Sequence, residues 1–140
     1  MPPEPRVATS RRVLVLWAFV AASVVSIPSS WAGTIVSNVA DGILTVTGTA
    51  DADDLIVRCE GGVLTVNQTQ PSGGPTRCGD LRSILVFAGA GFDRVSLADV
   101  TRSAFDSHVL RGESGNDELR GGAGDDTCRG GPGADSVVSC

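Results

Sequence analysis

Short runs of apolar and β-branched residues, separated by turn residues, occupy the chain from residue 34 to residue 97. Six runs have this character: Thr34–Val36, Ile43–Thr47, Leu55–Val57, Val63–Val66, Ile84–Phe87 and Val95–Leu97. None of them has the apolar spacing of a helix. Asp41-Gly42 and Gly61-Gly62 stand between neighbouring runs, where hairpin turns are expected. The pattern predicts an all-β fold, which could be a sandwich or a solenoid.

The first 32 residues have the features of a signal peptide. A basic segment with Arg6, Arg11 and Arg12 precedes the apolar stretch 13–25, and Ser30-Trp31-Ala32 offers small residues for cleavage. The apolar stretch is shorter than the roughly 20 residues of a membrane-spanning helix. We therefore expect cleavage and secretion to the extracellular space. An uncleaved anchor is the alternative, and the choice between the general and the twin-arginine export route stays open.

The remaining chain is acidic. Removing three arginines and one glutamate with residues 1–32 leaves 8 arginines, no lysine and 15 acids, a formal charge of −7. Nucleic acids and anionic membrane surfaces favour basic proteins, so neither is expected as a partner.

Four cysteines lie in the predicted mature part of the chain. An even number of cysteines in a small exported chain favours disulfides. We favour the pairs Cys59–Cys78 and Cys128–Cys140 among the three possible connectivities. A zinc site built from the four thiolates is the competing interpretation, although the sequence has no C-x-x-C spacing.

The C-terminal third contains a nine-residue repeat. Residues 112–138 divide into three consecutive nonapeptides that begin at Gly112, Gly121 and Gly130. Each has glycine at positions 1 and 4, aspartate at position 6, and an apolar residue or cysteine at position 8. The pattern resembles the G-G-x-G-x-D-x-U-x repeat of RTX-type (hemolysin-type) calcium-binding proteins.

The residue types of the repeat suit calcium. Glycine adopts positive φ without a Cβ penalty, so a glycine-rich turn can direct several carbonyl oxygens towards one point. The aspartate adds an anionic oxygen. Calcium takes about six to eight oxygen ligands in flexible geometry, which such a set can supply. The repeat therefore predicts Ca²⁺ as the cofactor.

The resemblance implies a parallel β-roll in which successive turns lie on opposite edges. Asp117 and Asp135, 18 residues apart, should then stack on one edge. Asp126 should face the other edge, where His108 takes the equivalent place in the preceding nonapeptide. The candidate metal ligands are Asp117, Asp135, Asp93 and Asp126, with the turn residues Gly112, Ser114, Gly115, Gly130, Pro132 and Gly133.

Two degenerate copies lie upstream. Residues 88–96 fit the repeat with alanine at position 1, and Asp93 should stack above Asp117 if the extra residues between Thr101 and Ser107 bulge out. Residues 48–56 are a fainter copy, because Asp51 replaces the glycine of position 4. We interpret this fainter copy as the start of a coil and do not count it as a metal site.

These features predict three segments: a signal peptide over 1–32, a strand-rich N-terminal part of the solenoid with irregular coils over 33–87, and a calcium-binding repeat region over 88–140. The predicted function is that of a secreted, disulfide-stapled calcium-binding module with calcium ions as partners and no membrane contact after signal cleavage. The alternative is an exported β-module that binds a protein or polysaccharide at the cell envelope, with calcium incidental.

No catalytic motif stands out, and we do not expect an enzyme. The aspartates Asp51, Asp53 and Asp54 could be read as paired catalytic carboxylates, but acids in such loops are usually solvated or form turns. His108 has no second histidine or nucleophile motif near it, and we expect it in a turn or at an edge.

Overall fold

Within the described residues, ten short strands form two five-stranded sheets, and the strands from β5 to β10 alternate between them. A computed structural model of the chain describes residues 34–100 and 107–140, so the predicted signal peptide and the predicted bulge lie outside the described residues. The strands are β1 (Val36–Ala40), β2 (Ile43–Thr47), β3 (Asp54–Glu60), β4 (Val63–Val66), β5 (Ser83–Ala90), β6 (Arg94–Asp99), β7 (Ser107–Ser114), β8 (Glu118–Arg120), β9 (Asp126–Arg129) and β10 (Ser136–Val138). The predicted all-β class is confirmed.

The two sheets are mixed. The first has the order β1-β2-β5-β7-β9 and the second the order β10-β8-β6-β3-β4. The pairs β1–β2 and β3–β4 are antiparallel hairpins, and the other neighbours are parallel. The hairpin turns Asp41-Gly42 and Gly61-Gly62 have positive φ at both residues, which suits the twist of flanking strands. These two turns were predicted correctly.

The core lies between the two sheets and follows from alternation along the strands. In β2 and β3 every second residue points inward, so Leu44, Val46, Leu55 and Val57 are fully buried. The same period places apolar side chains of β4 to β8 in one continuous cluster. Burial of each such side chain stabilises the fold by roughly 1.5–3 kcal/mol.

Both predicted disulfides are present. Cys59 in β3 is bonded to Cys78, which begins a 3₁₀ turn over Cys78–Asp80, and Cys128 in β9 is bonded to Cys140. Each closure stabilises the chain by about 3 kcal/mol in the loop-entropy description. All four cysteines are used, so the alternative zinc site of four thiolates does not form.

The connections between strands form two opposite edges. On one edge, four turns lead from the first sheet to the second, and we call it the aspartate edge: residues 48–53, 88–93, 112–117 and 130–135. On the other, which we call the disulfide edge, lie the connection from β4 to β5 with Cys78, the turn 121–125 and the residues after β10 with Cys140.

The structure corrects one prediction made from the sequence. His108 is neither in a turn nor at an edge: it is fully buried in β7, a strand flanked by β5 and β9. Its inward direction follows the alternation that also buries Leu110. No helix in the described part of the chain is long and apolar enough to cross a bilayer.

Candidate metal centre

The four turns of the aspartate edge are joined by a ladder of aspartate carboxylates. The backbone N–H of Asp117 donates to Asp135 Oδ1 over 3.0 Å, and that of Asp93 donates to Asp117 Oδ1 over 3.0 Å. The N–H of Asp53 donates to Asp93 Oδ1 over 2.8 Å. The structure therefore brings the predicted site residues Asp93, Asp117 and Asp135 together, with Asp53 at the end of the row.

Two carboxylates in the middle of this row have a buried oxygen with no hydrogen bond. Asp93 is 0% and Asp117 is 2% exposed. Their Oδ2 atoms accept no hydrogen bond from any residue that the structure describes. A buried carboxylate oxygen without a partner costs several kcal/mol, roughly, unless a cation or a proton compensates it.

No arginine compensates these charges. The ion pairs among the described residues connect Arg58 with Glu60 and Asp99, Arg94 with Glu118, and His108 with Asp126. None of them involves an aspartate of the aspartate edge. The carboxylates therefore stack on one another with no positive side chain between them, which is a repulsive arrangement.

Burial and this repulsion both act on the pKa of Asp93. Burial raises the pKa of its carboxyl above the ordinary value, and the nearby carboxylates of Asp117 and Asp53 raise it further. The hydrogen bond from the Asp53 backbone acts in the opposite direction. The metal-free turn stack therefore disfavours the charged form of Asp93.

Glycine at position 4 allows the turns to touch. Gly115 and Gly133 have φ of 138° and 152°, in a region that other residues rarely adopt. A methyl group on Gly115 would overlap the carbonyl oxygen of Gly91, and one on Gly133 would overlap that of Gly115. The glycines of position 4 thus lie directly on the carbonyl of the neighbouring turn.

Glycine at position 1 makes room for the aspartate of the same turn. A methyl group on Gly112 would overlap Oδ2 of Asp117, and one on Gly130 would overlap Oδ2 of Asp135. The glycine at position 1 therefore leaves room for the carboxylate of its own turn, and the glycine at position 4 allows contact with the neighbouring turn. The spacing of the repeat follows from these two contacts.

Carbonyl oxygens line the contacts between turns. Gly91 N–H donates to the Ser114 carbonyl over 2.9 Å, and Gly115 N–H donates to the Pro132 carbonyl over 3.0 Å. These bonds hold neighbouring turns in register and leave each carbonyl a second lone pair. The predicted backbone ligands all lie in two turns that touch: Gly112, Ser114, Gly115, Gly130, Pro132 and Gly133.

A calcium ion fits this set better than a metal that needs many side-chain ligands. Within residues 34–100 and 107–140, no group of three or more histidine, cysteine, aspartate or glutamate side chains converges on one point. On the aspartate edge, the available donors are the unpartnered buried Oδ2 atoms of Asp93 and Asp117 and a stack of carbonyls. Hard oxygen donors of this kind are those that calcium prefers.

Comparison with known proteins agrees with this geometry. Residues 109–137 match the family model of the RTX calcium-binding nonapeptide repeat (4 copies). This segment is therefore similar to an RTX calcium-binding repeat. Comparisons with curated proteins and with solved structures give no significant match to the chain.

The middle RTX turn lies on the disulfide edge, apart from the other three predicted carboxylates. Asp126 pairs in register with His108, and its Oδ1 lies 3.9 Å from His108 Nε2. Its Oδ2 accepts the N–H of Gly122 over 2.8 Å. Burial lowers the pKa of His108, while Asp126 and the hydrogen bond with Ser107 act in the opposite direction.

Glu113 departs from the repeat pattern and still adopts a positive φ. Glu113 stands at position 2, where the other two repeats have Gly122 and Gly131. It keeps a positive φ of 75°, and its carbonyl lies against Gly131. A side chain in this region costs about 1–2 kcal/mol, so stacking of the turns overrides the local preference of Glu113.

Sequence reasoning missed the participation of Asp53. The signal was present, since Gly48 and Asp53 occupy positions 1 and 6 of the faintest copy. Asp53 and Asp93 are 40 positions apart in the sequence, because a hairpin and a disulfide-closed loop are inserted between them. The spacing of the repeat therefore does not predict their contact.

Proposed function

We propose that this protein is a secreted calcium-binding module in which stacked glycine-rich turns and aspartate carboxylates bind Ca²⁺ and stabilise a β-roll. The observation that carries the proposal is the pair of buried, unpartnered carboxylate oxygens of Asp93 and Asp117. The RTX match over residues 109–137 supports the same metal. The role is one of binding and structure, without catalysis.

The parallel strands are consistent with a β-roll whose N-terminal coils are irregular. From β5 onwards each strand pairs in parallel with the strand two places later in the chain. The hairpins β1–β2 and β3–β4 supply the irregular part. The two disulfides support secretion, because disulfides persist in oxidising compartments.

The binding positions lie in the gaps between stacked turns. Asp117 and Asp135 would serve one gap with carbonyls of their turns, and Asp93 and Asp117 would serve the next. Calcium supplies the positive charge that these carboxylates lack. The chain itself holds the oxygens in place through the hydrogen bonds from Asp93 N–H and Asp117 N–H.

Folding and binding should be coupled. The carboxylates approach only when the turns stack, so the unfolded chain has no preformed site. At a calcium concentration about 100-fold above Kd, each site would stabilise the fold by about 2.7 kcal/mol. Far-UV circular dichroism should accordingly show more β signal in calcium than in a chelator.

Calorimetric titration tests the proposal. We expect wild type to bind calcium, Asp117→Asn to bind much more weakly because it serves two gaps, and Asp135→Asn to lose part of the binding. Asp99→Asn is the matched control, since Asp99 is an acid outside the ladder that pairs with Arg58. No binding heat in wild type would favour the envelope-binding alternative, and equal affinity of Asp117→Asn and Asp99→Asn would refute the ligand assignment.

A further inference from the structure

The turn at residues 48–53 lies outside the matched repeat but stacks on the aspartate edge. It connects β2 to β3 and precedes the turn 88–93 in the stack. Its sequence, Gly-Thr-Ala-Asp-Ala-Asp, keeps only the first glycine and the last aspartate of the repeat turn. Its contacts, not its sequence, relate it to the other turns.

Three contacts join this turn to the turn 88–93. Asp53 N–H donates to Asp93 Oδ1, the same bond that joins the other turns. Ala90 N–H donates to the Thr49 carbonyl over 3.1 Å. Gly91 lies so close that a methyl group on it would come within 2.9 Å of the Asp51 carbonyl oxygen.

The first glycine forms the same cradle as in the repeat. A methyl group on Gly48 would overlap the Ala88 carbonyl oxygen and would lie 2.7 Å from Asp53 Oδ2. Thr49 N–H donates to that Oδ2 over 2.5 Å, which fixes the Asp53 carboxylate inside its turn. The half-buried Asp53 carboxylate lies at this contact, and the fully buried Asp93 reaches it through Oδ1, which accepts the Asp53 N–H.

The charge in this gap is not compensated by the chain. Asp93 Oδ2 is buried without a hydrogen bond, and no described arginine pairs with Asp53 or Asp93. The contact thus combines two carboxylates, one of which has an unpartnered buried oxygen, with the carbonyls of Thr49 and Ala88. The contact between the matched turns 112–117 and 130–135 offers donors of the same kinds.

We propose an additional calcium site between the turns 48–53 and 88–93, with the carboxylates of Asp53 and Asp93 and the carbonyls of Thr49 and Ala88 as its donors. The inference rests on the proposed calcium function. It extends that function to a pair of turns separated by 40 residues. An ion there ties the N-terminal hairpins and the Cys59–Cys78 loop to the repeat region.

Counting ions tests this site. The oxidised protein, exchanged into a volatile buffer with calcium, is examined by native mass spectrometry, and its binding heat is measured by calorimetry. We expect Asp53→Asn to bind one ion fewer per chain than wild type. Asp51→Asn should bind as many as wild type, because Asp51 is an exposed acid of the same turn with no role in the ladder.

A second variant keeps the test informative if Asp53→Asn does not fold. Asp53→Ser keeps a side-chain acceptor for Thr49 N–H but removes the charge, and it should also lose one ion while its β circular dichroism persists. Unchanged stoichiometry in both Asp53 variants would overturn this site and leave the repeat sites standing. Absence of calcium from wild type would overturn the proposed function itself, and this site with it.

Discussion

The two edges of the fold hold their turns together by different means. On the disulfide edge, Cys78 and Cys140 are covalently bound to strands, and Asp126, the first residue of β9, faces His108. On the aspartate edge, four carboxylates follow one another and no described side chain supplies a positive charge. One edge is therefore closed by the chain's own chemistry, and the other needs an ion.

This difference between the edges predicts which part of the fold depends on calcium. Alternation of apolar residues and two disulfides stabilise the core and one edge whether or not calcium is present. The aspartate edge gains charge repulsion from each added turn. We therefore expect removal of calcium to loosen one edge and the C-terminal coils without unfolding the β2–β6 core.

The largest loss of stability should come from adding a methyl group where two stacked turns touch. Gly115→Ala places a methyl group on the Gly91 carbonyl and at a φ of 138°, so we expect a loss of about 4 kcal/mol from strain and overpacking together. Urea unfolding in excess calcium measures it.

The control for Gly115→Ala separates backbone strain from the contact. Gly62 also has positive φ, but a methyl group on it would meet nothing within 4 Å. Gly62→Ala should therefore cost only about 1–2 kcal/mol. Equal losses in the two variants would show that contact between turns contributes nothing.

The next effect should come from opening the disulfide edge. Replacing Cys128 and Cys140 by serine removes a closure worth about 3 kcal/mol. Gly121 N–H would lose its ordered acceptor, the Val138 carbonyl, as the end of the chain loosens. Unfolding free energies of the double variant and wild type, each with and without calcium, measure this loss.

The effect of calcium on the stability of this double variant tests whether the two edges are independent. Because the bond and the aspartate ladder lie on opposite edges, the 3 kcal/mol loss should be about the same with and without calcium. A loss that appears only in the chelator would mean that the two edges are not independent.

Much of the scaffold was predictable because it depends on local patterns. β2 and β4 have the predicted bounds, since alternating β-branched residues are bounded there by turn residues. The turn stack over residues 112–135 was predictable because its spacing is regular. The disulfide pairs followed from loop composition and end position.

The rest depended on contacts between distant segments. β7 was not among the predicted runs because His108 interrupts its apolar pattern, and the histidine is buried through its neighbours in β5 and β9. Asp53 was missed because its partner, Asp93, lies 40 residues away. Parallel pairing across an insertion leaves no periodic signal in the sequence.

A smaller effect should come from Asp93→Asn, and its sign should depend on calcium. With calcium the variant loses a carboxylate ligand, so we expect a loss of about 2.7 kcal/mol at a concentration about 100-fold above Kd. With a chelator at neutral pH it loses a repelled charge instead, and we expect the variant to be no less stable than wild type. Thermal unfolding in the two buffers measures both arms.

The pH dependence of metal-free wild type checks the same cause. Burial raises the folded-state pKa of Asp93 above its ordinary value of 3.8. The stability that this group contributes is therefore present below pH 3.8 and is lost as pH rises through the folded-state pKa. Asp93→Asn should remove this component from the dependence of the unfolding free energy on pH. An unchanged pH dependence would contradict the burial of an uncompensated charge.

The smallest effect concerns the disulfide edge and has the opposite sign. Burial lowers the folded-state pKa of His108 below its ordinary value of 6.5, against the carboxylate of Asp126 and the hydrogen bond with Ser107. The stability it contributes is present above pH 6.5 and is lost as pH falls through the folded-state pKa. In urea unfolding at saturating calcium, His108→Asn should flatten this loss of stability at acid pH. In a chelator, the same variant should leave the Asp93 component unchanged. His108 lies inside the core next to Asp126, whereas Asp93 lies on the aspartate edge. A His108 variant that also altered the pH dependence assigned to Asp93 in a chelator would show that the two groups titrate as one unit.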